Sequence, residues 1–260
     1  MSIGFKVQRI YPADRSVLHW RGTHILDPDE FALFLQGPVK ARVGDEAFVA
    51  DFAHELGALA TTEMATETLA QLLDTEPPAL DWEIGEAVAE CLLADEFGVQ
   101  WPWNENRDRK TPRASLPGAD IVGFMDDADG PVLLFGEVKT SSDANAPPGV
   151  LNGRSGLVHQ IETLATRTDI HFALLKWLAA RCKETPLWTK FQQASARYLH
   201  SGGRDMALVG VLLRDTPPDA EDLRSRGETL AASAELLPRI RLDAWYAPRA
   251  IAEWTGLVQG

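Results

Sequence analysis

Cysteine is scarce in this chain: Cys91 and Cys182 are the only two among 260 residues, far apart and each inside a helix-like pattern. A disulfide framework and a zinc cluster are therefore not expected, and buried structural thiols are. Long apolar runs are missing as well, so no segment reaches the roughly 20 residues of a membrane-spanning helix. The opening Met1-Ser2-Ile3-Gly4-Phe5-Lys6 has neither the basic nor the apolar region of a signal peptide. The expectation is a cytoplasmic protein without membrane contact. There is no Gly-rich phosphate loop followed by Lys-Ser/Thr, which removes the support for an intrinsic ATPase motor. Gly153-Arg154-Ser155-Gly156 lacks the spacing of a nucleophile elbow. His54-Glu55 is followed by Ala58 where a zinc-protease helix would carry its second His.

Positive charge is also in short supply. Twenty-five Lys and Arg face 38 Asp and Glu, for a net charge of −13. Affinity for a phosphate backbone comes mainly from basic side chains, so a stand-alone, tight DNA binder should be more basic than this. The basic residues are unevenly placed, however: Arg107, Arg109, Lys110 and Arg113 gather in one loop. A local basic lip on an acidic body suits a protein whose nucleic acid is delivered by a partner.

The rest of the composition, 45% hydrophobic and 24% charged, is that of an ordinary globular protein long enough to bury a sizeable core. Strand character is expected from Phe5 to Tyr11 and a short helix from Asp29 to Leu35. Helical spacing fills Ala47 to Leu73 and ends before Pro77-Pro78, which suggests an N-terminal region over 1–78, a possible partner-binding unit, and a core over 79–260. Trp82 to Leu93 reads as an amphipathic helix with Ile84, Val88, Cys91 and Leu92 on one side, stopped by Gly98. A basic loop, Trp101 to Pro117, leads into two strands joined around Asp126 to Gly130, a loop longer than the tightest hairpin turn. Ser141 to Gly156 reads as a mobile loop. Helices are expected over Leu157 to Thr166, Ile170 to Cys182 and Trp188 to Leu199. Met206 to Leu213 has the continuous apolar character of a central strand. Asp219 to Leu236 then reads as helix, Arg239 to Trp245 as strand, and Pro248 to Trp254 as the start of a last helix. The order predicts an α/β fold with a mixed sheet flanked by helices.

The informative residues lie on the two strands of the hairpin, Gly118-Ala119-Asp120-Ile121-Val122-Gly123 and Leu133-Leu134-Phe135-Gly136-Glu137-Val138-Lys139. Strand alternation puts Leu133, Phe135, Glu137 and Lys139 on one face and Val132, Leu134 and Val138 on the other. A carboxylate and an ammonium thus continue an apolar row. Burying a charge is unfavourable unless it is paired or binds a metal, so this is a candidate functional site. An edge strand pairing two opposite charges in solvent is the structural alternative. Chemically, Asp120 and Glu137 with the Val138 carbonyl are sufficient protein ligands for Mg²⁺, which prefers oxygen and keeps several waters. Lys139 would orient water or stabilise a phosphate.

This array, Gly118-Ala119-Asp120 followed by Glu137-Val138-Lys139, resembles the PD-(D/E)XK nuclease superfamily over roughly half the chain. Ala119 stands where the named motif has Pro; the Asp carries the chemistry. The resemblance implies a restriction-endonuclease-like core of a helix, a three-strand meander, a helix and a fourth strand, here from Trp82 to Leu213. It also implies a Mg²⁺-dependent hydrolase of phosphodiester bonds in which Mn²⁺ substitutes. Glu86 resembles the acidic residue of the first core helix that completes the metal site, with Glu90 one turn later as the alternative. Gln160 resembles the helical Gln that follows the catalytic strand in several branches. In size, N-terminal extension, the Gly85-Glu86 helix and the late Val209 to Leu213 strand, the chain looks like the nuclease subunit of the Hachiman anti-phage defence system. That likeness implies a helicase partner that holds DNA and releases its degradation. A repair or restriction nuclease acting alone, and a non-catalytic scaffold keeping the nuclease fold, stay open. The sequence does not choose between DNA and RNA, or between nicking and degradation.

Overall fold

The computed structural model describes residues 4–14, 18–74, 79–108, 118–233 and 239–260. It is an α/β fold built on a six-stranded mixed sheet flanked by helices on both faces. The strands are β1 (Val7–Asp14), β2 (Leu18–Ile25), β3 (Ile121–Asp127), β4 (Gly130–Ser141), β5 (Met206–Arg214) and β6 (Arg239–Tyr246). Their spatial order is β1-β2-β6-β5-β4-β3. The hairpins β1–β2 and β3–β4 are antiparallel, while β4, β5, β6 and β2 run parallel to one another.

Strand alternation sorts the core into two layers. Leu133 and Phe135 of β4 point toward helices α7 (Leu157–Thr166), α8 (Thr168–Cys182), α9 (Trp188–His200) and α10 (Glu221–Ser233). Leu134 and Val138 point the other way, toward α5 (Asp81–Phe97), α11 (Ile251–Gln259) and α1 (Pro28–Phe34) with the π-helical turn Leu35–Val39 that follows it. Burial of β5 over most of its length, from Leu208 to Arg214, explains its continuous apolar run.

Several expectations are corrected. The segment Leu18–Ile25 is a strand, although His19, Arg21 and His24 interrupt its apolar pattern. Its parallel pairing with β6 makes the N-terminal region part of the sheet and not an appendage to it. The proposed boundary at Pro77-Pro78 lies outside the described residues. Helix α5 is buried almost all round because the sheet covers one side and α11 with the π turn cover the other; it is not a two-faced surface helix. The β3–β4 turn is tight: Asp127 and Gly130 pair directly, and the Asp127 carboxylate receives the Asp129 N–H at 2.8 Å. The segment after β4 is held, with Asp143 accepting from the Asn145 and Gly149 N–H groups and Arg214 donating to the Asp143 carbonyl at 2.8 Å. Helix α11 begins at Ile251, not Pro248, because the Asp215 carboxylate receives the Ile251 N–H at 2.8 Å. Between α5 and α7 the described residues form two strands and one isolated bridge, Gln100 with Phe124, and among them that bridge is what stands for the first strand of the implied meander.

Both cysteines are free, Cys182 buried and Cys91 half-buried. Among the described residues no helix is long and apolar enough to cross a membrane.

Candidate active site

Strands β3 and β4 stay in register from Asp127 and Gly130 back to Ile121 and Gly136, and there the pairing stops. Among the described residues, from Glu137 onward β4 keeps only β5 as a neighbour. The hairpin therefore has an open mouth, and Asp120 stands in it. Its Oδ2 accepts the Val138 N–H at 2.9 Å, so a side chain takes over the role of a missing ladder acceptor. A residue in a strand presents its N–H and its C=O to the same edge. The Val138 carbonyl accordingly faces the mouth beside Asp120.

The Asp120 and Glu137 carboxyls lie close enough that each perturbs the other's proton affinity, and Lys139 donates from Nζ to Glu137 Oε1 at 2.6 Å. Glu137 is 8% exposed, too buried for a solvated surface pair. The edge-strand alternative to a functional site thus loses its premise. Glu86 reaches the same place from α5. Gly85 makes this possible: a Cβ there would sit 2.7 Å from Thr140 Cγ2, so only glycine lets the helix backbone approach β4 this closely. Gly118, two residues before Asp120, has φ +126°, a conformation that L side chains rarely adopt.

The electrostatics record this crowding. Burial pushes the Glu86 carboxyl up to about 10, with repulsion from Asp120, Glu105, Glu90 and Glu137 adding to it. Glu137 is pushed up to about 7, first by burial and then by the Asp120 charge, against the pull of Lys139. Burial also raises Asp120, opposed by the Val138 N–H, the Lys139 charge and the neighbouring Glu137 carboxyl. Three acids that resist ionisation and repel one another at the mouth of the hairpin are an arrangement that a cation would relieve.

Glu90, the alternative helix residue, is committed elsewhere. Its Oε2 accepts from Arg42 Nε at 2.6 Å in a buried ion pair, and Arg42 also donates to the Trp103 carbonyl at 2.8 Å. Gln160 lies in the first turn of α7, where its Nε2 donates to the Arg154 carbonyl at 3.0 Å. No hydrogen bond joins it to Asp120, Glu137 or Lys139 among the described residues. Trp103 is packing: it is buried, bonds the Val122 carbonyl at 2.7 Å and meets Trp177 edge-on at 5.2 Å. Of the basic lip only Arg107 is described, paired with Asp45 at 3.3 Å and lying over the Phe48 ring. Arg109, Lys110 and Arg113 lie outside the described residues.

Among the described residues no three His, Cys, Asp or Glu side chains form a ready-made metal cluster. A Mg²⁺ site needs fewer protein ligands than that, because water fills much of its octahedron. Asp120, Glu137 and the Val138 carbonyl supply the oxygen donors it prefers. The sequence missed Arg42, whose role depends on a contact 48 residues away in the chain.

No family model matches the chain, and no curated protein matches it significantly.

Proposed function

We propose that the chain is a metal-dependent nuclease hydrolysing phosphodiester bonds in DNA. The contact between the Asp120 and Glu137 carboxyls at the open mouth of β3 and β4, with Lys139 at 2.6 Å from Glu137, carries this reading. Asp120, Glu137 and the Val138 carbonyl would hold Mg²⁺ or Mn²⁺, with Glu86 bordering the same position. The bound ion would supply an acidified water and charge for the phosphate. Lys139 holds Glu137 in place through its ammonium, and once the carboxylate is engaged elsewhere that ammonium is available to a phosphate oxygen. Gly85 and the Val138 N–H fix where the carboxyls stand. A scaffold without chemistry has no need of one buried and two half-buried acids that burial opposes, which favours the enzyme.

The acidic body and the pairing of Arg107 with Asp45 and Asp108 support a nuclease that receives DNA from a second protein. We assign that role to a helicase, on the likeness to the Hachiman nuclease subunit, and place the chain as the effector of an anti-phage defence complex. The test is plasmid cleavage in Mg²⁺ or Mn²⁺, with and without a helicase that co-purifies with the chain from its native host, for wild type and Glu137→Ala. Cleavage that survives Glu137→Ala or full removal of divalent metal refutes the assignment.

A further inference from the structure

Helices α3 (Glu46–Leu59) and α4 (Glu63–Leu73) form a hairpin in which no residue is buried. Phe48, Phe52, Leu59, Met64 and Leu73 are all exposed on it, and the Phe48 and Phe52 rings stack at 5.8 Å. Helices of this length gain most of their stability by packing an apolar face, and these leave theirs in solvent. Beneath α3 lies a groove of about 560 Å³, walled by Val49, Ala50 and Ala53 on one side and by Glu83, Ala87 and Val258 on the other.

The charge around this surface is predominantly acidic: Lys40 and Arg42 line one edge of the groove and Arg107 lies over the Phe48 ring, but Arg42 is paired with Glu90 and Arg107 with Asp45. From Val43 to Asn106 the sequence holds fifteen Asp and Glu and not one Lys or Arg. Glu46, Asp51, Glu55, Glu63 and Glu67 all lie on the hairpin itself. Nucleic acid and anionic lipid headgroups are repelled by such a surface. A second copy would bring the same acidic hairpin on a body of charge −13. An apolar face ringed by carboxylates is complementary to an apolar face ringed by Lys and Arg.

We propose that the α3–α4 hairpin and the groove beneath it are the docking surface for a partner protein, which inserts an amphipathic helix flanked by basic residues. Glu86 also lines this groove, so the docking surface adjoins the candidate site, but its test reads binding and not cleavage and survives or fails separately from the nuclease reading.

The experiment introduces a photo-crosslinking residue into the full chain in its native host, at Leu59 or Met64 on the hairpin and at Phe172 or Leu199 as exposed controls. The expected result is an adduct with a second protein from the hairpin positions only. That protein, purified, binds the wild-type chain and loses at least tenfold in affinity both to Leu59→Ser/Met64→Ser and to Glu63→Lys/Glu67→Lys. Its binding to wild type weakens as salt is raised. Because the four positions are exposed, both double variants keep the wild-type melting temperature, which separates lost docking from lost folding. Adducts with a second copy of the chain or with lipid, equal adducts at the control positions, no adduct at all, or a partner whose binding is indifferent to the charge reversal each overturn the proposal.

Discussion

Replacing Glu86 by Gln should stabilise the metal-free protein, by an amount that depends on pH in a fixed direction. Glu86 is held in the fold at about 10 against an ordinary value of 4.5. A carboxyl raised in the folded state binds its proton more tightly there than in the unfolded chain. Between the two values the unfolded state is the one that gains by ionising, and stability falls as pH rises. Below about pH 4.5 both states are protonated and the effect is absent. At pH 7 the wild type has lost roughly 2.5 units times 1.36 kcal/mol, about 3 kcal/mol, which Gln, neutral throughout, does not lose. The gain corresponds to a melting temperature higher by roughly 5–10 °C in a chain of this size. Urea unfolding of wild type and Glu86→Gln in chelator, from about pH 4.5 to 8.5, should show curves that coincide at the acid end and separate by ~1.4 kcal/mol per pH unit. Millimolar Mg²⁺ should then narrow the gap, because it stabilises the wild type more. A difference independent of pH, or a variant less stable than wild type near pH 8, would refute both the crowding of the three carboxyls and the sign derived from it.

Glu137→Ala and Lys139→Ala should each abolish DNA cleavage while leaving partner binding intact, and Glu137→Ala should melt no lower than wild type in chelator; plasmid gels and thermal melts on the same preparations decide it. Arg42→Met leaves the Glu90 carboxylate buried without its partner and should destabilise by about 3–5 kcal/mol, measured by denaturant unfolding, whereas Arg42→Met combined with Glu90→Leu should recover most of the loss. The isolated protein should bind DNA weakly at physiological salt, with a slope of log affinity against log salt no steeper than about four, one unit for each of Arg107, Arg109, Lys110 and Arg113. Nanomolar binding under those conditions would instead favour a nuclease that works alone. Neutralising the four together should weaken cleavage without changing the Mg²⁺-induced rise in melting temperature.

The face-alternation argument on β4 was fully local, and it placed Leu133 and Phe135 opposite Leu134 and Val138 as the two core layers have them. Period two is a property of the strand itself, so one sequence was enough. The long apolar run of β5 and the helices α7 to α9 were legible for the same reason, since each carries its own period or length. Strand β2 was not, because polar residues interrupt it and Arg21 finds its partners far along the chain: its Nε donates to Asp243 at 2.6 Å, and its guanidinium also reaches Glu96. The choice between Glu86 and Glu90 likewise needed the fold. One helical turn separates them, and only the position of Arg42 decides that Glu90 is neutralised while Glu86 is left to the mouth of the hairpin. Sequence singled out the candidate residues and determined on which face of their own strand they stand. Tertiary structure decided which of them come near enough to repel one another, because the approach of Glu86 to Asp120 and Glu137 comes from the splaying of two strands and from a helix that Gly85 allows to approach, and neither leaves a period in the chain.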